Sequence, residues 1–116
     1  MYYPFLRGKQ FELIALRELS NIISPSLFRP IIEPVRTNLS PLLRTIKKLN
    51  DTKIIPIILL NPSVGDYQKK WRLLKEQLDN SELKFLPCLQ IKNGNTSEIV
   101  KILSEISSPY ALQITQ

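Results

Sequence analysis

The sequence predicts an α/β fold of repeating βα units on a parallel sheet. Three observations carry this: short apolar runs led by proline, helical stripes between them, and a nearly constant spacing. The runs are Pro4-Phe5-Leu6, Pro30-Ile31-Ile32, Pro56-Ile57-Ile58-Leu59-Leu60, Pro87-Cys88-Leu89 and Pro109-Tyr110-Ala111-Leu112. Proline has no N–H to give to a sheet ladder and is tolerated chiefly at the first residue of a strand. Runs of β-branched residues without polar alternation mark strands buried on both faces, as parallel strands are. Successive prolines lie 26, 26, 31 and 22 residues apart, room each time for one helix and its turns.

The first helix is expected over residues 9–23, with Phe11, Ile14, Ala15, Leu19 and Ile22 at helical spacing. The second has Ser40 as N-cap, Pro41 at its first position and a stripe of Leu42, Leu43, Ile46 and Leu49. A third begins near Asp66 and buries Tyr67, Trp71, Leu74 and Leu78. The fourth follows the turn Asn93-Gly94-Asn95, starts near Thr96 and buries Ile99, Ile102, Leu103 and Ile106. Right-handed crossovers turn such an order into a parallel sheet covered by helices.

Two architectures satisfy that rule, an open doubly wound sheet and an arc of a barrel. Near-equal units with no Gly-rich first turn favour a (βα)4β arc resembling half of a TIM-type barrel, in spatial order 1-2-3-4-5. Residues 1–116 then form a single β/α domain, the N-terminal half of a larger barrel. An arc leaves its outer strands unpaired and deprives Ile31, Ile57 and Leu59 of an opposite wall. The expectation is a homo-oligomer, or a partner chain that completes the sheet.

Composition narrows the chemistry. Hydrophobic residues at 43% and charged residues at 22% are those of a globular chain. There is no histidine, which excludes His-based triads and His-ligated zinc. The one cysteine, Cys88, excludes an internal disulfide and reads as a buried thiol. No apolar signal core opens the chain, and the run Ile54 to Leu60 is too short to span a bilayer. A reducing cytoplasm and no membrane partner are expected. The net charge of +6 favours anionic partners.

The opening Tyr3-Pro4-Phe5-Leu6-Arg7-Gly8-Lys9-Gln10-Phe11-Glu12-Leu13-Ile14-Ala15-Leu16-Arg17-Glu18-Leu19 resembles that of the beta protein family of phage and bacterial genomes. Arg29-Pro30-Ile31-Ile32-Glu33-Pro34-Val35 looks like the family's second block, a proline-led strand ending in Glu-Pro. The resemblance covers the first third of the chain. It implies a phage or bacterial setting and a longer parent chain, and it assigns no reaction and no cofactor.

Ligands of parallel β/α folds meet the carboxyl ends of the strands. Counting three residues beyond each proline gives Arg7, Glu33, Leu59, Gln90 and Leu112; counting five gives Lys9, Val35, Asn61, Lys92 and Ile114. Arg7, Lys9, Glu33, Asn61, Gln90 and Lys92 are therefore the candidate mouth for a small anionic or polar ligand. The fifth strand breaks the register, because its polar residue is Gln113. In this set Lys9 suits an anion, Glu33 a base or ligand, and the amides orientation. The competing reading is an ion pair of Glu33 with Arg7 or Lys9 that only closes the strand ends. A second candidate surface is Lys69, Lys70, Arg72 and Lys75 around Trp71, the pattern of a nucleic-acid face. Enzyme, protein-interaction module and nucleic-acid binder all stay open at this level.

Overall fold

The computed structural model describes residues 3–36, 38–62, 70–91, 94–106 and 110–114, with only the backbone of residues 10, 11, 113 and 114. The elements alternate as β1 (Phe5–Arg7), α1 (Gln10–Leu19), β2 (Ile31–Glu33), α2 (Ser40–Asp51), β3 (Ile57–Leu59), α3 (Trp71–Asn80), β4 (Leu86–Ile91), α4 (Thr96–Glu105) and β5 (Ala111–Ile114). The five strands form one all-parallel sheet in sequential order, β1-β2-β3-β4-β5. The alternative order with the second strand outside the first is not the one adopted.

The prolines act through their carbonyls. Pro4, Pro30 and Pro56 each accept the N–H of the first residue of the next strand, Ile31, Ile57 and Leu86, at 2.8, 2.8 and 2.9 Å. Each residue thus supplies the first rung of the ladder without needing the N–H it lacks. Pro87 differs, since it lies inside β4 opposite Ile58. Leu86 donates to Pro56 on the β3 side, so the missing donor of Pro87 faces β5. Pairing with β5 begins only at Cys88–Ala111, so no rung is lost among the described residues.

Two apolar clusters divide the sheet faces. Ile32, Ile58 and Leu89 pack with Leu13 and Leu16 of α1, Leu42, Ile46 and Leu49 of α2, Leu74 and Leu78 of α3, and Ile99 and Ile102 of α4. The other cluster contains strand residues alone: Ile57, Leu59 and Cys88, with Ile31, Leu86 and Ala111 against them. All four helices therefore cover one face. This follows from a sequential order with crossovers of one hand.

Several expectations need correction. Among the described side chains of α1 the buried ones are Leu13 and Leu16, while Ala15 and Leu19 are exposed; the Phe11 side chain lies outside those described. The helix stops at Leu19, so Ile22 falls outside it at 80% exposure. Ser40 is the first helical residue and not the cap; Leu39 holds that place, and Asn38 Oδ1 accepts the Ser40 N–H at 3.2 Å. Asp66 and Tyr67 lie outside the described residues. Ile57 and Leu59, expected to lack a wall, are buried against their neighbours on the helix-free face. On that face the exposed apolar side chains are Phe5 of the outer strand and Ile55 below β3, with Tyr3 preceding β1. The outer strand β5 also exposes Leu112, since the four helices lie between the strands that precede it.

One side chain ties the lower end of the sheet. Asn50 Nδ2 donates to the carbonyls of Ile54 and Lys84 at 3.1 and 3.0 Å, and its Oδ1 accepts the Lys84 N–H at 2.8 Å. It thereby joins the end of α2 to the entries of both β3 and β4. Asn50→Ala should lower stability by about 1–2 kcal/mol, since three hydrogen bonds are replaced in part by water. Urea melts of the two chains measure this; an unchanged midpoint would mean the clamp adds nothing.

Candidate ligand-binding site at the carboxyl ends of the strands

The parallel register sets Arg7 directly opposite Glu33. Both belong to the helix-free face, at the level of Leu59, Cys88 and Ala111. The Glu33 side chain is only 4% exposed, and Arg7 Nε lies 3.5 Å from its Oε1. A carboxylate withdrawn from water needs such a partner to stay charged. Arg7 itself keeps 53% of its side chain in solvent. Of the two cations expected near Glu33, Arg7 makes the pair.

The chain then turns sharply. The Gly8 N–H donates to the Glu33 carbonyl at 2.7 Å, and the Lys9 N–H to the Arg7 carbonyl at 2.8 Å. A Cβ on Gly8 would sit 3.3 Å from that same Glu33 oxygen, tighter than most such contacts. Glycine therefore lets the β1–α1 turn press against the end of β2. Lys9 follows as the cap of α1, with no side-chain hydrogen bond at that end of the helix.

Between this turn and the β2–α2 connection lies a groove of about 690 Å³. Its floor includes Leu13, Val35, Leu39 and Leu42, and its polar lining is Lys9, Arg36 and Asn38. Both Lys9 and Arg36 are exposed. Among the described residues, neither has a carboxylate within ion-pair distance. The starts of α1 and α2 also meet the groove and add the positive ends of their dipoles. Arg36 and Asn38 were not among the sequence candidates. They lie beyond the strand end, where counting from prolines stops; their visible signal was a cation and an amide just before the Ser40-Pro41 helix start.

The remaining candidates sit at the ends of β3 and β4. Asn61 Oδ1 accepts the Gln90 N–H at 2.8 Å and its Nδ2 donates to the Gln90 carbonyl at 3.0 Å. Asn95 Nδ2 reaches that same carbonyl at 3.1 Å. The Asn61 amide thus extends the β3–β4 ladder by one side-chain pair. Gln90 is opposite Gln113, one layer above Cys88, while Leu112 pairs with Leu89 on the helix side. The proline count placed Gln90 a layer too low because Pro87 lies two residues further along its strand than Pro56 does. Lys92 lies outside the described residues.

The basic helix surface is electrically mixed. Arg72 Nη2 donates to both oxygens of Glu105 at 2.9 Å while its guanidinium lies 5.1 Å from the Trp71 ring centre. Lys75 Nζ pairs with Asp79 at 2.7 Å. A shallower groove of about 400 Å³ there is lined by Glu76, Asp79 and Glu105 as well as the two cations. Lys70 is exposed, and Lys69 lies outside the described residues. Among the described residues no cluster of His, Cys, Asp or Glu is arranged to hold a metal ion. No helix among them is long and apolar enough to cross a membrane. Compared with family models, curated proteins and solved structures, the chain gives no match in any of the three.

On the same layer as the ion pair, two strands from Glu33, burial pushes the Cys88 thiol up to about 11 from an ordinary 9.0. The thiolate is the nucleophile, so at pH 8 this sulfur should react with a disulfide reagent only as fast as the chain opens. A folded value above the unfolded one means stability is full below about pH 9 and is lost as pH rises toward 11. Thiol-reagent kinetics and melts at pH 8 and 10.5 check both parts; prompt native-state labelling at pH 8 would contradict them.

Proposed function

We propose that the chain binds a small anionic ligand at the carboxyl ends of β1 and β2. The observation that carries this is the convergence of two cations on one groove. Other described cations, Arg17, Arg44 and Lys101 among them, also lack a carboxylate partner, and it is the shared concavity that sets Lys9 and Arg36 apart from these. Lys47, Arg72 and Lys75 are each paired with a carboxylate, and Arg7 is held by Glu33. Lys9 and Arg36 line a concave groove and have no such partner among the described residues. Uncompensated cations beside two helix starts favour a ligand of opposite charge. The place is also the one where parallel β/α folds bind ligands.

The resemblance to the beta protein family supports the same spot. Its first block contains Arg7-Gly8-Lys9 and its second ends in Glu33-Pro34-Val35, and residues of these segments line the groove or form the neighbouring ion pair. Membership of that family, a phage or bacterial cytoplasm, and the half-barrel reading of the arc belong to this proposal. The nucleic-acid reading is weakened by the carboxylates interleaved around Arg72 and Lys75. A protein-interaction role has one observation in its favour, the exposed Tyr110 and Leu112 at the outer strand β5. Association through that edge with a second copy or a partner chain is compatible with an anion site at the opposite end of the strand order.

Thermal melts with inorganic phosphate test the reading. Phosphate should raise the melting temperature in proportion to the logarithm of its concentration. Lys9→Ala and Arg36→Ala should each remove most of that rise, and Arg72→Ala should leave it intact. Equal responses in all four chains would place the anion effect elsewhere.

A further inference from the structure

Resting on that reading of the groove, we infer that its ligand is an amphipathic anion, a carboxylate or phosphate head carried on an apolar body. The groove has two chemically distinct parts. Its polar side chains, Lys9, Arg36 and Asn38, offer donors: Asn38 Oδ1 already accepts the Ser40 N–H, which leaves its Nδ2 for a ligand. A head rich in acceptors and carrying negative charge satisfies all three. Below them lie Leu13, Val35, Leu39 and Leu42, members of the buried apolar set whose edges form the floor.

Size separates this ligand from a bare ion. At about 690 Å³ the groove falls within the range of small-molecule sites, which combine a mostly apolar lining with a few placed polar groups. A hydrated phosphate would meet the cations and leave the edges of the floor uncovered. An attached alkyl or aryl group leaves water itself and covers the accessible edges of that floor together with Pro34 and Pro41, and burial of apolar surface strengthens binding with each carbon added. Arg7 and Glu33 pair with each other on the helix-free face of the sheet and do not line the groove, so they contribute position to the turn and no contact to the body of the ligand.

A homologous series decides this. Acetate, butyrate, hexanoate and octanoate are titrated calorimetrically into the full chain, with hexylammonium as the cationic control. Affinity should rise roughly threefold for each methylene buried until the floor is filled. Hexylammonium should not compete. Lys9→Ala and Arg36→Ala should weaken every member of the series, while Val35→Thr, which keeps shape but adds a hydroxyl, should weaken octanoate more than acetate. A flat series whose members still depend on Lys9 would overturn the apolar body and leave the anion site standing. Hexylammonium binding as tightly as hexanoate would overturn the charged head. No binding by any anion, phosphate included, would overturn the inference and the anion-site reading together.

Discussion

A carboxylate buried at the end of β2 organises this end of the molecule. Glu33 is nearly withdrawn from solvent, and burying a carboxylate is costly unless it is paired with a cation. The backbone supplies that cation by register, since Arg7 is its direct partner across the parallel ladder. The backbone carbonyl of Glu33 itself receives the Gly8 N–H and so fixes where β1 stops and turns. Lys9 and the start of α1 then stand where they do because that turn is pinned. Loss of Arg7 would take a cation from a carboxylate that is almost fully buried, and a side chain at position 8 would crowd the Glu33 carbonyl at 3.3 Å.

The neighbouring strands are locked by different means. At β3 and β4 no ion pair is used among the described residues; two asparagine amides take the place of ladder rungs, Asn50 below and Asn61 above. Both atoms of each amide are used, which is the pattern of a side chain imitating a peptide. The sheet thus divides into a charged half at β1–β2, open to solvent chemistry, and a neutral half at β3–β4 whose polar groups serve the backbone. With the helices confined to one face, the groove between the first two βα turns is where charge, helix starts and concavity coincide.

Much of the frame was legible in the residues. The three prolines spaced 26 apart predicted three strands in register, and the ladder pairs Phe5, Ile31 and Ile57 as that spacing requires. The opposition of Arg7 and Glu33 follows from the same count. Where the spacing changes, at Pro87, counting from the proline fails by two residues and Gln90 moves up a layer. The α1 stripe was misread because Ile14, Ala15 and Leu19 share helical spacing with one another as well as Leu13 does with Leu16; only the packing partner chooses between the faces. Arg36 and Asn38 were invisible to a strand-end count, since a loop's course is set by tertiary contact and not by periodicity.

The central claim is that uncompensated cations at the first two βα turns form an anion site. Backbone amide spectra of the ¹⁵N-labelled chain, recorded during a titration with inorganic phosphate, test it most directly. The amides of Gly8, Lys9, Arg36 and Asn38 should shift together along one saturating curve, while those of Arg72 and Lys75 stay still. Shifts centred on α3, or changes that never saturate anywhere in the chain, would contradict it.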